Sequence, residues 1–179
     1  VSTACTSGVK VFSTARKLLE NGVCKAVIAG GVDTLASMPS YGFHALEVLS
    51  HEKTNPFSKN RNGISLGEGG ALFVVTKAAK QLGSEAANHQ NDGIIHKVAI
   101  LGIGETSDAY HAATPDPDGV QAVKAIQAAL DDANLKPEDI DYINLHGTGT
   151  ISNDLMEANA IYKVFGDKVP ASSTKPLTG

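Results

Sequence analysis

An α/β fold with mostly parallel strands is what this sequence predicts, and three features carry that prediction. Short apolar runs closed by glycine, such as 25–29 ahead of Gly30-Gly31, have the length of buried strands. Amphipathic stripes at helical spacing lie between them. Strand and helix alternate along the chain instead of grouping, which is the order of parallel sheets covered by helices.

Each element follows from local pattern. Over 8–21, Phe12, Ala15, Leu18 and Leu19 share one helical face, and Asn21-Gly22 stops the helix. A strand over 25–29 follows, then a helix over 41–49. Residues 51–70 read as a glycine- and proline-rich loop, and 70–76 (GALFVVT) as a strand. The polar stretch 83–93 reads as an exposed connection, and a break between two parts of the fold is expected near 76–93. A strand is expected over 97–104. Val120, Val123, Ile126, Leu130 and Ala133 then form a helical stripe that ends near Asn134 and Pro137. Residues 140–145 form a strand running straight into His146-Gly147-Thr148-Gly149-Thr150. Asp154 and Glu157 have the spacing of a helix capping box; Met156, Ala160 and Val164 continue that helix to Gly166. A last strand is expected over 169–172.

Composition narrows the class of protein. The 179 residues are 42% apolar and 19% charged, which describes a globular domain. A net charge of −4, with no lysine or arginine run, speaks against nonspecific nucleic-acid binding. No apolar run approaches the ~20 residues of a membrane span, and the start has no signal-peptide pattern. Two cysteines form no disulfide framework, so a reducing cytoplasm is expected. Val1 follows no initiator Met and Gly179 stops within a loop, so both ends are expected to cut through a larger protein.

Several residues could carry chemistry. Cys5 sits where a strand would hand over to the first helix. Unpaired N–H groups and the helix dipole favour a thiolate there, and Ala4, Ser7 and Gly8 leave room for a substrate. The same pattern fits a small packed residue, and both readings stand at this point. Cys24, ahead of an apolar strand, reads as packing. His146 lies at the C-terminal end of a strand, where open α/β sheets place their ligands. Its loop of two glycines and two threonines offers N–H groups and hydroxyls with little bulk. Lys175, in Ser172-Ser173-Thr174-Lys175, follows a strand; a surface lysine is the plain reading, and spacing alone does not displace it. Tyr110-His111 fits either a site edge or an ordinary loop. No phosphate loop, dinucleotide fingerprint, serine-hydrolase elbow or zinc-ligand spacing is present.

Taken in order, seven segments resemble the β-ketoacyl-acyl-carrier-protein synthases of the elongating type. They are 3–8 (TACTSG), 29–31 (AGG), 55–57 (NPF), 62–70 (NGISLGEGG), 107–111 (SDAYH), 144–150 (NLHGTGT) and 172–175 (SSTK). The resemblance implies a thiolase-like fold of two stacked α/β halves. Here residues 1–80 would end the N-terminal half and 81–179 begin the C-terminal half. It also implies an acyltransferase that elongates a fatty acid or polyketide chain by decarboxylative condensation with malonyl-carrier protein. Cys5 would be the acyl-carrying nucleophile. His146, with a second histidine beyond Gly179, would stabilise the enolate. Lys175 would polarise the site with support from Glu157, and Thr148 and Thr150 would contact the pantetheine arm. The implied partners are an acyl carrier protein and a second copy of the chain, with no nucleic acid, membrane, metal or cofactor. Asn62, Ile64 and Ala113 depart from the common bacterial pattern, which leaves acyl preference open. A thiolase acting on coenzyme A esters and a non-catalytic chain-length-factor subunit are the alternatives. The His-Gly-Thr-Gly-Thr run argues against the first and the presence of Cys5 against the second.

Overall fold

The computed structural model describes residues 1–77 and 98–179. The connection expected over 83–93, and Lys97 at the head of the expected strand, lie outside these residues. Two compact units are present: Val1–Val32 with Gly70–Ile100, and Asp33–Gly69 with Leu101–Gly179.

In the first unit, helix α1 (Ser7–Glu20) and strands β1 (Ala26–Asp33) and β2 (Gly69–Thr76) form the framework. The predicted stripe of α1 is the one that packs: Ala15 and Leu19 are buried, and Phe12 meets Phe73 of β2 edge-on with centroids 5.7 Å apart. Leu18 lies at the rim of that face. β1 corrects the sequence reading, because it continues through Gly30-Gly31 where glycine was expected to close it. Gly30 serves as a contact there: a Cβ on it would lie 2.0 Å from the Ala71 carbonyl oxygen of β2. Ile28, Val32, Leu72, Phe73 and Val74 leave much of the β1–β2 pair apolar and exposed.

The second unit holds α2 (Ser37–Ala45), α3 (Val120–Ala133), β3 (Ile143–Asn144), α4 (Ile151–Phe165), β4 (Ala171–Ser172) and the single turn α5 (Lys175–Thr178). α2 starts four residues before the predicted 41–49 helix. Pro39 falls in its first turn, where the missing N–H would have had no intrahelical partner. The far end closes at Leu46, and Glu47 turns left-handed at φ 56°. α3 matches its predicted bounds and ends on Asn134 at φ 54°, a conformation asparagine tolerates. Leu130 is buried in its stripe, whereas Val120 at the first turn stays exposed. α3 packs on α4 through Ala160 and the close approach of Gly119.

β3 and β4 are parallel, with Ile143 opposite Ala171 and Asn144 opposite Ser172. Both occupy the predicted places but are shorter. The strand expected over 97–104 is a correction: 98–104 carries no ladder among the described residues. Gly102 and Gly104 instead lie so close to α3 that a Cβ would come within 2.2 and 1.9 Å of the Ala129 and Ala125 carbonyl oxygens. At these two glycines the missing side chain lets the helix pass close to the chain. The capping box at Asp154 is also corrected. Thr150 is the N-cap, its hydroxyl accepting from the Asn153 N–H, so α4 begins four residues earlier and Asp154 lies inside the first turn.

Gly30→Ala should destabilise the protein by about 1–3 kcal/mol, because the side chain would have to push backbone and not a flexible tip. Thermal or urea unfolding measures it; a wild-type midpoint would mean that β1 and β2 are not in that close register.

Candidate active site

The second unit gathers five of the six residues given site roles from the sequence around the end of β3; Cys5 is the exception. Leu145 extends the β3–β4 pairing by donating its N–H to the Ser172 carbonyl at 2.8 Å. His146 and Lys175 therefore emerge from neighbouring parallel strands at their C-terminal ends, where such sheets place ligands. Gly147, at φ 47°, lets the two loops meet: a Cβ on it would sit 2.5 Å from Cβ of Ser173. Ser173 donates its hydroxyl to the Gly147 carbonyl at 3.2 Å and accepts the Lys175 N–H at 3.3 Å. Lys175 Nζ ends 3.4 Å from His146 Nδ1.

That contact sets the histidine's protonation. A lysine ammonium has donors and no acceptor, so Nδ1 must present its lone pair and the ring proton sits on Nε2. Part of the His146 surface stays open, yet crowding around the ring is the larger reason that its pKa lies below the ordinary value; the Lys175 charge is the second. The carboxylates of Glu157 and Asp154 pull the other way and are outweighed. The site thus holds a neutral imidazole with one N–H donor directed away from Lys175.

Glu157 supports this arrangement through the backbone. Its two carboxylate oxygens accept the His146 N–H at 2.6 Å and the Gly147 N–H at 2.8 Å. Charge-assisted bonds of this kind hold the start of the loop. Its hydrogen bonds among the described residues go to this loop and to the Asn153 amide, not to Lys175. Thr148 and Thr150 share a hydroxyl contact of 2.8 Å. Thr150 also caps α4, and Thr148 is almost buried.

The sequence reading missed the residues that hold the loop from behind. Asp154 is 2% exposed; it accepts the Phe57 N–H at 2.7 Å and the Gly149 N–H at 3.1 Å. Arg61 places Nε 3.7 Å from the same carboxylate and donates from Nη1 to the Ser58 carbonyl. The available signal was an acidic residue in the first turn of a helix, which the dipole favours; its distant partners, Phe57 and Arg61, left no local trace. Tyr110 and His111 are exposed, and His111 Nδ1 closes a local turn by accepting the Ala113 N–H.

Cys5 belongs to the first unit. It lies in a 3-10 turn (Ala4–Thr6) that runs into α1, and its side chain is exposed, whereas Cys24 is half-buried. Hydroxyls build the turn: Thr6 Oγ1 donates to the Thr3 carbonyl at 2.8 Å, and Ser7 Oγ accepts the Thr3 N–H at 2.8 Å. Ala4 adopts φ 51°, a strained value for a residue with a side chain, immediately before the thiol.

Residues 1–81 match the Beta-ketoacyl synthase, N-terminal domain, and residues 98–179 match the Beta-ketoacyl synthase, C-terminal domain. The chain belongs to the β-ketoacyl synthase family. Among curated members, it is 36% identical to a 3-oxoacyl-[acyl-carrier-protein] synthase 2 of Synechocystis, over 99% of this chain and 43% of that protein. A Staphylococcus aureus protein of the same name is also 36% identical, over 99% of this chain and 44% of its own. This family member therefore spans under half the length of these relatives. Among solved structures, a ketosynthase in complex with its chain length factor from Xenorhabdus doucetiae superposes with a TM-score of 0.86 at 41% identity, covering 100% of this chain and 41% of that one. A β-ketoacyl synthase from Burkholderia phymatum gives 0.82 at 30% identity, over 97% of this chain and 42% of the other. The α/β fold is thus the thiolase-like fold of the ketosynthases, of which this chain spans part.

The Lys175–His146 contact makes a signed prediction. Lys175→Met should raise the His146 pKa, because it deletes one of the two influences that lower it while Glu157 and Asp154 still attract the proton. In wild type, the unfolded chain takes up this proton first as pH falls, so His146 contributes stability above its unfolded pKa and loses it through the folded one. NMR titration of the imidazole measures the shift. A pKa unchanged or lowered in Lys175→Met would contradict the influence assigned to the Lys175 charge.

Proposed function

We propose that this chain carries the nucleophile and one enolate-stabilising histidine of a 3-oxoacyl-carrier-protein synthase. The observation that carries this reading is the Lys175–His146 pair at the ends of adjacent strands, which leaves a neutral Nε2–H donor. Family membership supports extending it to Cys5. In this reading the Cys5 thiolate attacks the thioester carbonyl of an acyl carrier protein. The carbon–sulfur bond to the carrier breaks, and the acyl group is left on Cys5. A malonyl-carrier thioester then loses carbon dioxide, and the electrons of the broken carbon–carbon bond move into an enolate. The His146 Nε2–H donates to the oxygen on which that charge develops, the kind of interaction that lowers such barriers most. The carbanion carbon attacks the acyl-Cys5 carbonyl, and the expelled thiolate regenerates Cys5. Lys175 holds the imidazole tautomer, and Glu157 the backbone beneath it. Thr148 and Thr150 face the pantetheine arm. The junction between the two halves of the fold is placed near residue 80, a reading supported by the ends of the two family matches.

The partners follow from the same reading: a carrier protein for both substrates, and a second ketosynthase-fold subunit. A second copy of the chain is one form of that subunit. A chain length factor is the other, favoured by the relatives at 41% and 33% identity that are solved with one.

Two measurements test the roles in the gene product that contains these residues. Iodoacetamide at neutral pH should label Cys5 much faster than Cys24, because Cys5 is exposed and Cys24 half-buried, and access limits the rate; equal labelling removes Cys5 as nucleophile. His146→Ala should slow malonyl-carrier decarboxylation by a hundredfold or more, about 3 kcal/mol for one lost donor, with acyl transfer to Cys5 retained. Normal decarboxylation would end the proposed role of His146.

A further inference from the structure

Behind the His146 loop lies a threonine that none of the proposed chemistry uses. Thr54 is 2% exposed, among the most deeply buried side chains described. Its hydroxyl donates to the Gly63 carbonyl at 2.7 Å and lies 3.4 Å from the Thr148 carbonyl. Gly63 in turn donates its N–H to the Gly149 carbonyl at 3.0 Å. The two consecutive carbonyls at 148 and 149 are thus both turned toward the 54–63 segment. Gly149 shows how tight the joint is: at φ 76°, a Cβ on it would lie 2.4 Å from Thr54 Oγ1 and 2.5 Å from the Gly63 oxygen. Thr54 is itself anchored, since its N–H donates to Ser65 Oγ at 3.0 Å and that hydroxyl donates to the Glu52 carbonyl at 3.2 Å.

Orientation of those carbonyls matters on the opposite side of the loop. A peptide plane is rigid, so turning the 148 and 149 carbonyls inward fixes where the neighbouring N–H groups and side chains point. Two residues upstream is His146. Packing alone would be served by valine, which has the shape of threonine but no donor; a buried carbonyl losing its partner is the specific consequence of that change. We propose that Thr54 is a positioning residue for the His146–Thr150 loop, its hydroxyl holding the backbone that presents His146 to a carrier-bound substrate. This rests on the ketosynthase reading above. Thr54 acts through the loop and touches no reacting group.

The test compares Thr54→Val, Thr54→Ala and Thr54→Ser in the gene product that contains this sequence. Val removes the hydroxyl at constant shape. Ala and Ser both lose the methyl and differ by the hydroxyl alone, so they decide the matter even where Val fails to fold. Three quantities are read: malonyl-carrier decarboxylation, acyl transfer to Cys5, and hydrogen exchange at the Gly63 amide. Loss of one neutral hydrogen bond predicts decarboxylation slower by about tenfold in Val and Ala, with acyl transfer near wild type, faster Gly63 exchange, and recovery in Ser. Decarboxylation and acyl transfer falling in proportion, or Ser no better than Ala, would overturn the proposal. A wild-type protein that decarboxylates no malonyl thioester would instead defeat the ketosynthase reading. The exchange measurement then decides the clamp alone: Gly63 protection lost in Ala and kept in Ser upholds it, and equal protection in both sinks it.

Discussion

A buried carboxylate at the start of α4 is the constraint on which the candidate site depends. Asp154 lies in the first turn, where the helix dipole favours its charge, and it spends its oxygens on two backbone N–H groups from opposite sides. One belongs to Gly149 of the histidine loop, the other to Phe57 of the 54–63 segment. A carboxylate so enclosed must be satisfied by such bonds or by a cation, and the Arg61 guanidinium stands 3.7 Å away. The two segments consequently meet at a junction that neither could form alone. Asp154 stitches it from the helix side and the Thr54–Gly63–Gly149 bonds from the other.

Rigidity behind the loop has a chemical consequence in front of it. Glu157, one turn further along α4, takes the N–H groups of His146 and Gly147, so the same helix holds both ends of the loop by carboxylates. The histidine backbone is held by carboxylates of the chain itself. Lys175 then selects the ring tautomer from the start of α5, just beyond the neighbouring strand. A preorganised donor pays no reorganisation when charge develops on a substrate, which is why such sites are built from held backbone and not from free side chains.

Glycine has two distinct uses in this chain, and confusing them is easy. At Gly147 and Gly149 the backbone takes positive φ and the chain turns tightly around the site. At Gly30, Gly102 and Gly104 the conformation is ordinary, and the missing side chain lets another backbone approach to a distance no Cβ would allow. Both uses look alike in sequence, as short Gly-x-Gly or Gly-Gly clusters beside apolar runs.

Sequence alone determined what depends on near neighbours. The stripes of α1 and α3, the Asn134 stop and the strand that delivers His146 were legible because residues three or four apart share a helical face and strand ends carry turn chemistry. The position of His146 and Lys175 just beyond strand ends was legible too, whereas Cys5, expected where a strand hands over to a helix, lies in a 3-10 turn. Tertiary structure decided the rest. Asp154 reads locally as a helix cap, and becomes a buried clasp only because Phe57, 97 residues earlier, folds against it. Thr54 reads as an ordinary loop residue until Thr148, 94 positions on, comes within reach of its hydroxyl. The residue pattern 98–104 has the composition of a strand, but a strand exists by its ladder, and there the glycines meet a helix. A single side chain carries its own propensity and polarity; which distant carbonyl or amide it satisfies is settled by how the backbone packs.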